Sequence, residues 1–348
     1  MRAVITTGLV GQPTVLEATD AEWLTFAKRH PQATAFHHPA WTSVLADAYG
    51  FEPGVFALRS IEGDVVAGLP FVRVRSRLTG SRLVALPFTD HSPALCAPGW
   101  DIAMGEAIRS WAKEEGPLEV HARLPLEDGH WVSAGVRHVM PLGDRETVWK
   151  RLSKTPVGRA LRKAERSELI PHIERDLPAM RAFFRLHCLT RRRQGVPVQP
   201  WRFFEQLHRH VLSEGLGMIV LARYRGTPVA ASLFLATNLT LIYKYGASDP
   251  AYLPLRPNNL VMWHAIEWGC EHGCATIDFG RSDIENSGLR QYKSSWGAQE
   301  TSHHHTVLPH RPRRREPSFA IKAAGVVLRR SPVIAARAVG ELLYGHYA

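Results

Sequence analysis

The chain is poor in cysteine, in long apolar runs and in acidic residues. Only Cys96, Cys188, Cys270 and Cys274 stand among 348 residues. So few thiols, unevenly spaced, leave no disulfide framework and point to a reducing, cytoplasmic setting. Cys270 and Cys274 lie near His264 and His272, but Gly273 breaks the segment and no second ligand pair follows. Zinc-finger spacing is therefore missing, and buried thiols at a helix end are expected. No apolar run approaches the roughly 18 residues of a membrane span. The opening MRAVITTGLVGQPTVLEATD has no apolar core region and no small-residue cleavage site, so no secretory signal is expected. The shortage of acid leaves 32 Asp and Glu against 43 Lys and Arg, a net charge of +11. That balance favours polyanionic partners. The excess is local: residues 311–348 hold eight cations against Glu316 and Glu341, and residues 150–166 hold seven against Glu165.

What is present is an ordinary globular balance, 45% apolar and 22% charged, with length for about two domains. The order of local signals repeats. Asp20 and Pro39 open two helical patterns, ended by Gly50. Strand signals GVFALRS, VVAGLPFVRVRS and SRLVALPF follow, split by the turns EGD and LTG. A helical IAMGEAIRSWAKEEG then leads into LEVHARL. The second half restates this plan. Asp176 and Pro200 open two helices, GMIVLARY, VAASLFLAT and LTLIYKYGAS form a meander, and a helix from about Pro257 precedes ATIDFG. FALRSIEGDVVAGLPF and VLARYRGTPVAASLFL share one pattern. A tandem duplication follows, divided near residues 140–150. Between the halves lies a helical segment that Pro156 and Gly158 should interrupt.

The segment RPNNLVMWHAIEWGCEHGCATIDFGRS, followed by GLRQYKSSWGAQE, resembles the FemAB-like branch of the GNAT acyltransferase superfamily. That branch has a PN-L-W helix, a DFG-type strand and a K-WG turn. FHHPAWTSVLADAYGFEP, GRALRKAERSEL and LTRRRQGVP are similar to its other segments, and the likeness runs over most of residues 15–310. The long coiled-coil arm of some cell-wall members has no counterpart. The resemblance implies an α/β (α+β) fold of two tandem GNAT-like domains. Each would be a mixed, mostly antiparallel sheet flanked by helices. The domains are expected at 1–143 and 144–309, the second carrying the donor site, with a basic helical tail at 310–348.

The resemblance also implies transfer of an acyl group onto an amine. In the best-known members the donor is aminoacyl-tRNA and the acceptor a peptidoglycan precursor. A GNAT fold holds its donor's pyrophosphate at the N-terminus of the helix after the fourth strand, where free N–H groups and the helix dipole favour anions. The usual acetyl-CoA loop there reads Q/R-x-x-G-x-G/A. Here Arg256 is kept, while Asn259 and Val261 replace the small residues. A CoA pyrophosphate should fit such a loop poorly. The other reading is that Pro257 and Asn258 simply start a helix. Donor-binding candidates are thus Arg256, Asn258, Asn259, Arg281 and Tyr243.

The catalytic candidates are Lys293, Asp278 and Tyr245. Lys293 offers a point charge for a phosphate or oxyanion, or is a solvated helix lysine. Asp278 on an apolar strand asks for a partner, Arg281 or Lys293, and either orders the loop or takes part in the chemistry. Tyr243 and Tyr245 flank Lys244 and should share one face, lining the acyl pocket or the core. Asp90 and His91, a general-base pair or an Asx turn, join Trp263 as acceptor-pocket candidates. Arg159, Arg162, Lys163, Arg191 and Arg192 are candidates for a phosphate-binding face, with solvated helix ends as the alternative. His303, His304 and His305 alternate on a strand with no carboxylate or Cys cluster adjacent, so solvated histidines are expected rather than a metal site.

The first functional reading is a tRNA-dependent aminoacyltransferase, without a cofactor, acting on a peptide-like or cell-wall amine. The second is an acyl-CoA-dependent N-acetyltransferase in envelope polysaccharide or metabolite synthesis. The third is a non-catalytic peptide- or glycan-binding protein. A monomer is expected, with peripheral membrane contact through the tail as one fate of its apolar face.

Overall fold

The computed structural model describes residues 4–6, 9–76, 80–126, 131–237, 239–309 and 328–346. The first half runs β1 (Val4–Thr6), β2 (Leu9–Leu16), α1 (Ala21–Arg29), α2 (Pro39–Tyr49), β3 (Glu52–Arg59), β4 (Val65–Ser76), β5 (Gly80–Ala85), β6 (Leu95–Cys96), α3 (Asp101–Glu115), β7 (Leu118–Val120) and β8 (Val132–Pro141). The second half runs α4 (Arg145–Ser153), α5 (Pro156–Glu165), β9 (Leu169–Glu174), α6 (Leu177–Gln194), α7 (Trp201–Leu207), β10 (Gly217–Tyr224), β11 (Thr227–Thr237), β12 (Thr240–Ser248), α8 (Pro257–Glu271), β13 (Thr276–Ser282), α9 (Ser287–Ser295), β14 (Gln299–Leu308) and α10 (Val333–Leu343).

Helix boundaries follow local chemistry. The Asp20 carboxylate accepts from the Glu22 and Trp23 N–H groups, and Asp176 accepts from Ala179. Each satisfies donors that a first helical turn leaves free. The interrupted helix is two helices, α4 and α5, the second capped by Thr155 with Pro156 in its first turn.

The chain forms two units. One holds residues 1–135, 302–314 and 345–348; the other holds 136–301 and 315–344. In the first, β1 to β5 pair antiparallel in succession, β5 pairs β7 in parallel, and β14 closes the sheet antiparallel to β7. In the second, β9 to β12 pair antiparallel, β12 pairs β13 in parallel, and β8 closes antiparallel to β13. From β2 onward the pairing scheme is the same twice over; β1 and the short β6, which pairs β4, have no counterpart among the described residues of the second unit. The first hairpin of each unit even slips register at the same place, between Leu58 and Arg59 and between Ala222 and Arg223. Each sheet is closed by a strand from the far end of the other half.

Alternation along the strands fills a core on each face. In β3, Val55 and Ala57 pack with Trp23 of α1, while Phe56 and Leu58 pack with α3 through Trp111. In the second unit, Met218, Val220 and Ala222 of β10 meet Val261 and Ile266 of α8 and Leu161 of α5. Helices α6 and α7 cover the opposite face. Burying each such large apolar side chain contributes about 1.5–3 kcal/mol.

Helix α10 docks on α6. Ala336 is fully buried, its carbonyl accepts from Val198 N–H at 3.1 Å, and Arg337 lies over the Phe184 ring. Residues 310–327, which hold much of the basic tail, lie outside the described residues. No helix among the described residues is long and apolar enough to cross a membrane.

Candidate functional site

In the second unit, β12 and β13 pair only over Thr240–Ile242 and Thr276–Asp278, and each continues beyond that point without pairing to the other. A bulge in β12 causes the separation. Opposite β11, the register skips Lys244: Leu233 faces Tyr245 while Phe234 faces Tyr243. An extra residue in one strand bends it and re-aims its side chains. The bulge therefore sends Tyr243 and Tyr245 to opposite faces, where unbroken alternation would have put them on one. Tyr243 meets Phe234 and Phe279, and burial raises its hydroxyl pKa. A Cβ on Gly246 would stand 1.9 Å from the Tyr243 hydroxyl, so a side chain there would force Tyr243 or the strand to shift. Tyr245 turns to α6 and α7, among Phe183, His187, Phe203 and Phe204. Burial lowers His187 to about 3, so it is neutral in that cluster.

The chain leaves β12, makes a short 3-10 turn over Pro250–Leu255, and reaches Arg256 in a left-handed conformation, φ 65°. Arg256 is the N-cap of α8 and gives it no side-chain cap; Pro257 has no N–H and the Asn259 N–H donates to the Arg256 carbonyl at 3.1 Å, which leaves the Asn258 N–H as the first-turn amide for a ligand. Beside this helix end opens a cleft of about 450 Å³ lined by Arg159 and Lys163 of α5, Arg256 and Asn259 of α8, and Tyr292 and Ser295 of α9. The three cations are exposed and have no acidic partner among the described residues, and no acid lines the cleft. This brings two of the donor-binding candidates together with two of the phosphate-binding ones. Tyr292 and Ser295 were not among the candidates. Their signal was available, because they sit one residue before and two after Lys293, on the helix that crosses the same opening.

Strand β13 carries a second irregularity. Its pairing with β8 slips between Asp278 and Arg281, and Gly280 sits there at φ 69°. Asp278 is buried, with Oδ1 accepting from Gly280 N–H at 2.8 Å and Oδ2 accepting from Arg137 Nε at 2.8 Å and a second Arg137 nitrogen at 2.7 Å. Arg137, from β8, is thus the partner; the expected pairs with Arg281 or Lys293 are not formed, and Arg281 pairs with Asp283. Lys293 is not solvated. It is 3% exposed, and its Nζ donates to the Gly280 and Arg281 carbonyls, both at 2.9 Å. Asp278 and Lys293 satisfy the backbone groups that the slipped ladder leaves unpaired. In doing so they fix where α9 starts and where Tyr292 and Ser295 stand.

The remaining candidates fall elsewhere. Asn258 turns toward Ser248, 3.4 Å away, and Val261 is buried in the core, so neither shapes the cleft. Arg162 donates to the Ser153 carbonyl. Arg191 holds the Pro197 carbonyl and the Tyr344 hydroxyl, at 3.2 and 2.8 Å, and belongs with Arg192 to α6, on the face opposite α5 and α8. One phosphate face combining Arg191 and Arg192 with Arg159 and Lys163 is therefore not built. Trp263 is buried on α8 against Trp149, under Arg145. Asp90 and His91 belong to the first unit, Trp263 to the second. The histidines of β14 do meet a carboxylate: Glu119 lies against His305.

Residues 153–294 match the family described as Acetyltransferase (GNAT) domain. The second unit thus carries a GNAT acyltransferase domain. The chain is 31% identical over 85 residues to Lipid II:glycine glycyltransferase of Staphylococcus haemolyticus (strain JCSC1435), covering 22% of this chain and 20% of that protein. The same enzyme of Staphylococcus epidermidis (strain ATCC 35984) is 31% identical over 78 residues, 21% of this chain and 19% of that one. The chain thus spans about a fifth of the length of these curated relatives. Among solved structures, FemX superposes with a TM-score of 0.65 at 14% identity, over 85% of this chain and 97% of that one. L-PGS from Bacillus licheniformis gives 0.55 at 13%, over 91% and 99%. A tandem GNAT protein from the clavulanic acid biosynthesis pathway gives 0.52 at 12%, over 85% and 98%. At these identities the structures establish the fold.

Proposed function

We propose that the chain transfers an aminoacyl group from charged tRNA to an amine, and that the donor's phosphates sit at the start of α8. One observation carries this reading: Arg159, Lys163 and Arg256 converge, without acidic partners among the described residues, on a cleft that the α8 N-terminus also faces. Three cations and a helix dipole form an anion site in which each contact is charge-assisted. The acyl end of the donor would reach along the opening between β12 and β13, past Tyr243 and Tyr292. There the amine attacks the acyl carbonyl, and the departing tRNA hydroxyl takes up the proton that the amine loses. Backbone amides of the separated strands are the donors available to the oxyanion. Asn259 and Val261 stand where a CoA loop has small residues, and the Asn259 side chain narrows the approach that a pyrophosphate needs.

The acceptor is a peptide-like amine, in keeping with the lipid II named for the curated relatives. The protein acts as a cytoplasmic monomer. The test offers purified protein charged tRNA and acetyl-CoA separately with a peptide-amine acceptor. Transfer from tRNA alone supports the reading. Transfer from acetyl-CoA alone overturns the donor and leaves an N-acetyltransferase.

A further inference from the structure

We infer that the first unit holds a divalent transition-metal site of the zinc class, formed by Glu119 and His121 of β7 and its end and by His305 of β14. This site does not depend on the proposed donor. Strand pairing creates the cluster. Thr306 faces Val120 and Val307 faces Glu119, and continuing that register sets His305 opposite His121. Side chains two apart on a strand share a face, so Glu119 stands beside both rings. The imidazoles stack with centroids 4.4 Å apart and planes 21° from parallel.

The tautomer of His121 shows what is missing. Thr89 Oγ1 donates its one hydrogen to the Leu86 carbonyl at 2.6 Å. At the contact of 3.1 Å with His121 Nδ1, the hydroxyl can then only accept. His121 therefore carries its proton on Nδ1 and, when neutral, turns the Nε2 lone pair toward Glu119 Oε1, 3.4 Å away. His305 Nδ1 lies 3.4 Å from the same oxygen. Protonating both rings would stack two imidazolium ions against each other. One dication satisfies all three groups.

The spacing fits. Ligands about 2.0–2.1 Å from a tetrahedral ion lie about 3.3–3.4 Å apart, which is the length of both carboxylate–imidazole edges. The three ligand atoms all lie within 4.8 Å of one another, so a small rotation of the rings closes the third edge. Imidazole with carboxylate suits zinc, cobalt or nickel better than magnesium or calcium. Glu119 is 40% exposed, leaving a route for the ion and for a solvent ligand. Bound there, the ion clips β14, from the far end of the chain, onto β7.

The test uses the full chain, stripped with a chelator and titrated with Zn²⁺ by calorimetry and with Co²⁺ by visible absorption. One ion per chain and the d–d band of low-coordinate cobalt are expected. Glu119→Gln and His305→Ala should each weaken binding more than tenfold. Thr89→Val, which removes the group that sets the tautomer, should weaken it about tenfold. His304→Ala, on the other side of β14, should leave it unchanged. Absence of stoichiometric binding overturns the site. So does binding that persists in both Glu119→Gln and His305→Ala with native circular dichroism; the cluster then shares a proton only.

Discussion

From β2 onward the two units build the same pairing scheme, and the difference that matters lies at one turn. In the first, β5 and β7 stay paired through Ala85 and Val120, where both strands end, and β4 meets β5 without a slip. A long loop then leads to α3, whose first turn carries Asp101. In the second, Lys244 bulges out, β12 leaves β13, and α8 begins at Arg256 with no acid in its first turn. The repeated fold is thus open between these strands in one copy only, beside one extra residue in a strand. The closed copy carries the histidine cluster instead. Pairing order specifies the scaffold, while departures from regular pairing make the site.

The largest effect should come from removing the charge that distinguishes the open copy. Replacing Arg159, Lys163 or Arg256 by Ala should cost about 1.5–3 kcal/mol of donor binding each, since each is a charge-assisted contact. That is at least tenfold per site in kcat/KM, with folding unchanged. Asp101→Asn, at the matching helix start of the closed copy, should change neither. If it does, the two copies share the donor and the comparison breaks.

Next in size is the ion pair behind the β13 bulge. Arg137→Leu leaves Asp278 buried without its cation and should destabilise the second unit by about 3 kcal/mol in urea unfolding. Lys293→Met should also lower stability, by about 2–3 kcal/mol, because two bulge carbonyls lose their donor. A loss of turnover without any loss of stability would instead place Lys293 in the chemistry.

Gly246→Ala tests the bulge itself. The new methyl would collide with the Tyr243 hydroxyl, and the strand must shift, at about 1–3 kcal/mol. Adding Tyr243→Phe should return part of that loss, and strictly additive effects would contradict the contact.

The last effect appears only as pH falls. His37 in the first unit is lowered to about 4 and His187 in the second to about 3, mainly by burial. Unfolded, both take up a proton near their ordinary 6.5. Between these values the unfolded chain binds the extra proton, so stability is whole above 6.5 and is lost as pH falls. Each contributes a slope of about 1.4 kcal/mol per pH unit within its window. His187→Phe should flatten the acid slope of the second unit and leave that of the first. An unchanged slope would mean that His187 is already charged in the fold.

Much of the scaffold was legible in the chain. Caps such as Asp20 and Asp176, the break at Pro156 and the repeated FALRS and VLARY hairpins are local signals, and local signals survive without knowledge of partners. The site was legible in part. Arg256 and Asn259 are marked by the loop position they occupy. Arg159 and Lys163 are legible only as charge, and grouping them with Arg191 and Arg192 does not hold, because α5 and α6 lie on opposite faces of a sheet. Asp278 needs a partner, but the partner is 141 residues away on a strand that periodicity does not reveal. The slip at Lys244 reverses the face of one tyrosine, since a bulge is decided by the neighbouring strand. Glu119 and His305 are brought together only by the strand that closes the first sheet.

The central claim is that Arg159, Lys163 and Arg256 hold the phosphates of a polyanionic donor. It is tested most directly by measuring the affinity for charged tRNA against salt concentration, in the native chain and in the Arg159→Ala, Lys163→Ala, Arg256→Ala triple variant. Each phosphate no longer neutralised by a cation takes about 0.7–0.9 from the slope of log affinity against log salt. The triple variant should therefore bind weakly, with a slope shallower by about two to three. An unchanged slope, or native affinity in the variant, would show that the donor lies elsewhere.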